Sequence, residues 1–347
     1  MFTDTADTLP QGKADFVLAA SMTKTCEIEG ITQAGIPGMI PLTPTLDAEF
    51  ISTEKVFSLG ELAETPTGVP TPALITRASH NLSAFTTIEI FDLGLVTQPK
   101  NSLVHSFAIE PSQRIDEGAN IDAEAVFNKG RKAGREYELK GNYLILGEST
   151  PAGTTTAAAS ALALGYDVAE DAFSSSFLDV PNEIRQKTIK KALSLVNDTM
   201  SNFEKLGIVS DNMLIFCAGF LLEASRRFHI VLAGGTQMAA CLLIADKLRE
   251  DVLMRINHNN ITLATTLWVA KDKNSDIAHI LKQLSYTPHA IYTTLSFQAA
   301  EIPVLHKYDE GEAKEGVGAG GALAYAAQNG HTNKELVDQI ELLMYSM

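Results

Sequence analysis

The chain has 347 residues, of which 45% are hydrophobic and 20% are charged. This composition excludes intrinsic disorder, and the length allows one large core or two modest ones. There are 27 lysine and arginine residues against 42 aspartate and glutamate residues, giving a formal net charge of −15. Because such a field repels polyanions and acidic membranes, neither nucleic acid nor a membrane is an expected partner.

The sequence carries no targeting or metal-binding pattern. It lacks the run of about 18 apolar residues that a bilayer span needs, and its polar start, Met1–Asp4, does not resemble a signal peptide. Cys26, Cys217 and Cys241 lack CxxC spacing, and the eight histidines form no HxH or HExxH pair. We therefore expect a cytoplasmic protein with no disulfide, metal site or cofactor.

The first 140 residues are the less regular part of the chain. Asp15–Ala20 predicts a buried strand, and Ala123–Glu138 predicts a helix whose basic side chains lie in solvent. Gly35–Pro44 and Glu64–Pro72 are rich in proline, glycine and threonine. They predict loops long enough to shape a pocket or an interface.

From Tyr143 onward, apolar strand-like runs alternate with helical patterns. The predicted strands are Tyr143–Leu146, His229–Ala233, Ile261–Ala270 and Ala290–Leu295. The predicted helices are Thr154–Leu164, Asn182–Leu206, Asn212–Arg226, Thr236–Lys247, Ser275–Leu284, Gly320–Ala327 and Asn333–Met344. This alternation predicts a three-layer α/β/α fold with a mainly parallel, Rossmann-like sheet and a smaller irregular and helical N-terminal part.

A first glycine-rich loop, GESTPAGTTT from Gly147 to Thr156, links a predicted strand to a helix. Its backbone N–H groups and the positive helix end favour an anion such as phosphate, although an ordinary capped turn would share this pattern. The loop is neither a Walker A motif nor a GxGxxG fingerprint. A phosphate would repel Glu148, so we expect this side chain to face sugar hydroxyls.

Two further small-residue loops precede helices. The second, AGGTQ from Ala233, would place the start of a helix at the same cleft. Alternatively, its glycines would only allow the helix to pack closely against the strand. The third, KEGVGAGGALA from Lys314, carries Glu315 among residues too small to cover it. A carboxylate in a partly dry pocket can accept a proton near neutral pH, whereas the alternative is a solvated glutamate in the acidic stretch Asp309–Glu315.

Taken in order, the three loops resemble the nicotinate-nucleotide-dimethylbenzimidazole phosphoribosyltransferase family of cobamide biosynthesis, in particular its divergent archaeal and cyanobacterial type. Bacterial members carry GEMGIGNTT, then a pair of glycines, then GEGTGAALA. The first loop here is one residue longer than that pattern. In the third loop Val317 replaces the threonine, and Gly320 and Gly321 make the run richer in glycine.

The resemblance implies a homodimer that uses no cofactor and moves the 5-phosphoribosyl group from nicotinate mononucleotide to dimethylbenzimidazole or a related base. The products are an α-ribazole-type phosphate and nicotinate. Glu315 would take the proton of the incoming base. A cation should assist, and we prefer Lys187 to Arg185, although both could be surface charges. The implied substrate contacts are Gly147, Glu148, Gly153, Thr154, Thr155, Lys187, Gly234, Gly235, Gly316 and Gly318.

The resemblance also suggests a division of the chain. Residues 1–140 would contribute to the core sheet and the acceptor-base pocket, 141–330 would form the α/β nucleotide-binding catalytic core, and 331–347 a C-terminal helix. The acceptor stays open among dimethylbenzimidazole, adenine or another purine-type base, and other azoles. The alternative function is a non-catalytic nucleotide-binding protein on the same fold. A kinase or NTPase is not expected, because this sequence lacks the motifs of those enzymes.

Overall fold

A single sheet of eight strands forms the centre of the computed structural model, which describes residues 2–4, 9–178 and 180–347. The strands are β1 Phe2–Asp4, β2 Ala14–Ala20, β3 Ile88–Asp92, β4 Leu103–Ser106, β5 Tyr143–Ser149, β6 Ile230–Ala233, β7 Ile261–Thr266 and β8 His289–Thr293. Their order is β1-β8-β7-β6-β5-β2-β3-β4, and every neighbouring pair runs parallel. The expected parallel sheet is confirmed.

Helices cover both faces of the sheet. They are α1 Thr43–Thr53, α2 Ala73–Leu82, α3 Ala123–Glu136, α4 Gly153–Ala163, α5 Asn182–Leu193, α6 Asn202–Val209, α7 Asn212–Ala224, α8 Thr236–Asp251, α9 Leu267–Ala270, α10 Ile277–Lys282, α11 His306–Glu310, α12 Ala319–Gln328 and α13 Asn333–Tyr345. Phe16 and Leu18 of β2 pack with α1, α2, α12 and α13, whereas Val17 and Ala19 pack with α3, α4, α7 and α8. The three-layer fold is confirmed.

The chain changes direction across the sheet between β2 and β5. The chain runs from β2 outward to β3 on one side of the sheet, and from β5 outward to β6 on the other side. The connections that follow the two central strands therefore lead in opposite directions. The N–H of Ser21 donates to the carbonyl of Ser149 (3.0 Å), which ties the two strand ends together. In open α/β sheets ligands bind in the crevice outside such a switch point.

The prediction of one helix over Asn182–Leu206 is wrong. The structure has two helices there, because α5 ends at Leu193 and α6 begins at Asn202. The Ser201 hydroxyl accepts from the N–H of Glu204, whose carboxylate accepts from the N–H of Ser201. This capping box is a helix-start signal that overrides the continuous apolar stripe.

The predicted strand Ile261–Ala270 is also too long. β7 stops at Thr266, where the hydroxyl accepts from the N–H of Val269 and starts the short helix α9. Strands β1, β3 and β4 were not predicted. β3 includes charged Glu89 and Asp92, and the edge strand β4 exposes half of Leu103, so neither shows the apolar run of a buried strand. Within the described ranges, no helix is both long and apolar enough to cross a membrane.

Helices α3 and α7 pack with their backbones in contact. A Cβ on Gly130 would lie 2.1 Å from the carbonyl oxygen of Phe216, and one on Gly219 would lie 2.2 Å from that of Phe127. We expect Gly130→Ala to lower the free energy of unfolding by about 1–3 kcal/mol through overpacking, although alanine is the better helix former by about 1 kcal/mol. Urea unfolding measures the change.

Lys132→Ala is the matched control for that variant, because Lys132 lies on the same helix and is exposed. Its stability should stay within about 0.5 kcal/mol of the parent chain. If Gly130→Ala were as stable as this control, the two helices would be able to separate enough to accommodate the methyl group. The close backbone contact would then not contribute to stability.

Candidate active site

A cavity opens at the carboxyl ends of β5, β6 and β7. One side comprises residues 148–154, 174–176, 235–237 and 313–317. Residues between positions 32 and 72 form the opposite side, which we call the N-terminal wall. The three glycine-rich loops, far apart in sequence, therefore meet at one rim of the sheet.

The predicted site residues divide into two groups. Those that line the cavity are Glu148, Gly153, Thr154, Gly235, Glu315 and Gly316. Those that do not are Gly147, Thr155, Lys187, Gly234 and Gly318. Most of the second group lie directly behind the cavity wall, whereas Lys187 is exposed on α5.

Glycines outside the cavity allow the third loop to approach the strands closely. A Cβ on Gly147 would lie 2.9 Å from the Cα of Gly318, and one on Gly320 would lie 2.4 Å from the Cα of Thr265. Because these are main-chain contacts, larger residues would push the loop outward. Gly147 and Gly318 therefore contact each other and set the position of the third loop.

Glu315 is a half-buried carboxylate held at the cavity wall by four donors. Its Oε1 accepts from the N–H groups of Gly316 (3.2 Å) and Gly320 (3.0 Å). Its Oε2 accepts from the N–H of Thr266 (3.0 Å) and from the Thr265 hydroxyl (3.2 Å). Burial raises the pKa of Glu315 to about 7 in spite of these donors. The side chain is fixed in place and exchanges a proton near neutral pH.

Glu148 is a second buried carboxylate on the same cavity. The amide of Gln237 donates to its Oε2 at 2.8 Å. Burial, together with the nearby charges of Glu315, Asp211 and Asp47, raises the pKa of Glu148 to about 8. At neutral pH Glu148 is therefore mostly protonated and uncharged, which removes the repulsion that a nearby phosphate would otherwise meet.

The start of α4 faces the cavity without a side-chain cap. Its N-cap residue, Ala152, has a left-handed backbone (φ 64°), and Pro151 to Thr154 line the cavity. The hydroxyl of Thr150, also on the lining, is buried and has no hydrogen-bond partner in the described part of the chain. An uncapped helix start with a free hydroxyl beside it is suited to an anion.

Lys314 is the one cationic side chain on the described lining of the cavity. Its ammonium lies 2.7 Å from the carboxylate of Asp272, and only 4% of each side chain is exposed. Arg185 is buried behind Phe173, to whose carbonyl it donates at 3.0 Å, and the charge of Asp272 also acts on it. Among the described residues no group of three histidine, cysteine, aspartate or glutamate side chains could hold a metal ion.

Comparison with known proteins places this geometry in a family. A family model described as phosphoribosyltransferase matches residues 80–257. The UPF0284 protein of Sulfolobus acidocaldarius is 36% identical over 95% of this chain and 94% of its own length. The UPF0284 protein of Archaeoglobus fulgidus is 36% identical over 96% and 94%.

The chain belongs to this phosphoribosyltransferase family. The resemblance predicted from the three loops is thereby confirmed. Two solved structures from Thermus thermophilus share the fold: a nicotinate-nucleotide-dimethylbenzimidazole phosphoribosyltransferase (TM-score 0.60, 17% identity) and CobT (TM-score 0.61, 18% identity). Each alignment covers 96% of this chain, and 83% and 84% of the two structures respectively.

Several residues of the phosphoribosyltransferase cavity were not predicted from the sequence. Lys314 and Gln237 lie inside the quoted loops. Lys314 is the one basic residue of the acidic stretch Asp309–Glu315, and Gln237 precedes an apolar run, so both signals were available in the sequence. Asp47 and Asp272 come from segments that carry no motif, and only the fold brings them to the site.

Proposed function

We propose that this phosphoribosyltransferase moves the 5-phosphoribosyl group of nicotinate mononucleotide to dimethylbenzimidazole or a related nitrogenous base, for assembly of a cobamide nucleotide loop. The observation that carries the proposal is Glu315, a half-buried carboxylate with a raised pKa on the wall of a cavity that also receives an uncapped helix start. Transfer to an imidazole-type nitrogen requires a proton acceptor of this kind.

The acceptor attacks with one ring nitrogen while the other loses its proton to Glu315. The new bond joins the attacking nitrogen to C1′ of the ribose. The bond from C1′ to the pyridine nitrogen breaks, and its electron pair leaves with nicotinate. The Thr265 hydroxyl, which makes one of the two longest contacts to Glu315, can rotate and free a lone pair on Oε2 for the proton.

The donor's phosphate binds at the start of α4 in this proposal, with the hydroxyl of Thr150 and the ammonium of Lys314 beside it. A partly buried helix end contributes up to about 2 kcal/mol per charge, so a cation is needed as well. Lys314 meets this need better than Lys187, because Lys187 is exposed and lies off the cavity. Arg185 adds positive charge from behind Phe173.

The remaining predicted contacts follow the same arrangement. Glu148, Gly153, Thr154, Gly235 and Gly316 contact substrate, whereas Gly147 and Gly318 act on the site through backbone packing. Gly234 leaves room for the side chain of Met238. Thr155 is the third residue of α4 and lies behind the lining, and its buried hydroxyl has no hydrogen-bond partner among the described residues. We also propose that the protein is a homodimer, as the resemblance implies.

Incubation with nicotinate mononucleotide and a panel of bases tests the function. We expect nicotinate release that depends on the added base and equals the amount of new ribotide, measured by chromatography. Tight binding of the mononucleotide without release for any base would instead favour the non-catalytic nucleotide-binding protein. Release that does not depend on an added base would indicate hydrolysis and would contradict the transfer.

A further inference from the structure

The N-terminal wall is unusually polar for a surface that would hold an aromatic base. Its polar members are Thr32, Thr43, Asp47, Glu64, Thr65 and Thr71. The others are alanine, glycine, valine and proline, and no aromatic side chain lines the described cavity. An apolar bicyclic base would find neither a stacking partner nor a continuous apolar surface here.

Asp47 is the buried charged group of this wall. It lies on α1 and is 2% exposed. Its Oδ1 accepts from the Thr71 hydroxyl (2.8 Å) and its Oδ2 from the Ser149 hydroxyl (2.7 Å). A carboxylate can accept about four hydrogen bonds, and none of the described cations lies within ion-pair distance of Asp47. Two acceptor positions are therefore unfilled on a side chain that lines the cavity.

Asp47 lies between the two sides of the cavity, because its partner Ser149 belongs to the first loop and its partner Thr71 belongs to the N-terminal wall. Its partner Thr71 precedes Pro72, whose ring lies 3.7 Å from where a Cβ of Gly316 would be. Gly316 directly follows Glu315, so the Asp47–Thr71 pair adjoins the loop that receives the acceptor's proton. Burial raises the pKa of Asp47 to about 6, which leaves it mostly ionised at neutral pH.

A base that fills the cavity excludes water from Asp47. If the base carries a hydrogen-bond donor on its six-membered ring, it replaces that water. If it carries only methyl groups there, as dimethylbenzimidazole does, the carboxylate stays desolvated and keeps only its hydrogen bonds from Thr71 and Ser149. A site with a buried polar group rejects an analogue that lacks the matching partner far more strongly than an apolar pocket rejects an added group.

We propose that Asp47 selects an amino-substituted purine-type base as the acceptor of this enzyme. The amino group donates to Asp47, and the imidazole ring of the same base supplies the attacking nitrogen and the proton for Glu315. This inference rests on the proposed function, since it names the substrate of that transfer. Asp47 is a specificity-determining residue and takes no part in the bond changes.

The test compares adenine with purine, which differ only by the amino group, and includes dimethylbenzimidazole. We expect kcat/KM with nicotinate mononucleotide to be about 10- to 100-fold higher for adenine than for purine, the range of one hydrogen bond to a charged group. Equal values for adenine and purine, or higher values for dimethylbenzimidazole, would overturn the proposal while leaving phosphoribosyl transfer intact. Absence of nicotinate release with every base would overturn the transfer itself, and this proposal with it.

The variant Asp47→Asn separates recognition from a structural role. We expect it to bring the adenine-to-purine ratio close to one, with activity on purine changed only a few-fold. Equal loss with both bases would mean that Asp47 contacts ribose or supports α1, and would overturn the proposal. Glu49→Gln is the control, since Glu49 also lies on α1 but binds Phe57 and Ser58 off the cavity. Whatever its activity, its adenine-to-purine ratio should match the parent chain. The comparison on the parent chain decides the matter even if a variant fails to fold.

Discussion

Replacement of Glu315 by glutamine should lower kcat for base-dependent nicotinate release by about 10²- to 10⁴-fold, the usual contribution of a general base. Glutamine keeps the size of the side chain and one acceptor oxygen for Gly316 and Gly320. Its NH2 group cannot accept from the N–H of Thr266, so we also expect a modest loss of stability. Binding of nicotinate mononucleotide, measured by calorimetry, should change little. A variant with parental turnover would remove Glu315 from the mechanism.

The pH dependence gives an independent check of the same residue. With a pKa of about 7, Glu315 becomes ionised, and so able to accept a proton, as the pH rises through 7. Glu148, with a pKa of about 8, becomes charged above that value and then repels the donor's phosphate. We expect kcat/KM to rise through pH 7 and fall above pH 8. Glu148→Gln should flatten the alkaline limb, and a profile without an acid limb would contradict the role of Glu315.

The variant Lys314→Met should have the second large effect, on both folding and donor binding. It leaves the buried carboxylate of Asp272 without its counter-charge, with only the N–H of Asn274 and the hydroxyl of Ser275 still donating to it. Loss of one partner of a buried ion pair costs about 3–5 kcal/mol of stability. The cavity also loses its lining cation, so KM for nicotinate mononucleotide should rise by about 10- to 100-fold, the range for a hydrogen bond to a charged group. Urea unfolding and initial rates measure the two effects.

The double variant Lys314→Met, Asp272→Asn separates the two effects. It removes both charges of the buried pair, so most of the lost stability should return. If Lys314 binds the donor's phosphate, KM should stay high in the double variant. Recovery of KM together with stability would show instead that the pair serves only to hold the third loop in place.

The sequence predicts the elements from Tyr143 onward better than those of the N-terminal part. Apolar runs such as Tyr143–Leu146 are buried on both faces, and their pattern is decided locally, so the parallel sheet could be predicted. Glu315 could also be recognised from local sequence, because it is a charged residue directly before a run of small residues. Strand β3, by contrast, includes Glu89, whose charge is compensated by Lys140 from a distant segment (3.0 Å). Only the fold shows that pairing.

The sequence predicts Lys187 or Arg185 as the assisting cation and not Lys314, which lines the cavity. Lys187, Arg185 and Lys314 have the same charge, and spacing along a helix does not say which way a side chain points. In the structure Arg185 faces inward, Lys187 faces solvent, and Lys314 reaches the cavity from another loop. Asp47 was missed because α1 follows a proline-rich segment with no motif, and its carboxylate meets Ser149 only across the sheet edge.

The glycine contacts behind the third loop set the position of Glu315 independently of the N-terminal wall. The spacing between Glu315 and the strand ends is fixed by main-chain atoms, at Gly147 against Gly318 and at Gly320 against Thr265, where no rotamer can adjust it. The opposite wall is built from interchangeable side chains on loops and α1. On the proposed function, substitutions on that wall would change which bases are accepted, while the position of Glu315 relative to the strand ends stays the same.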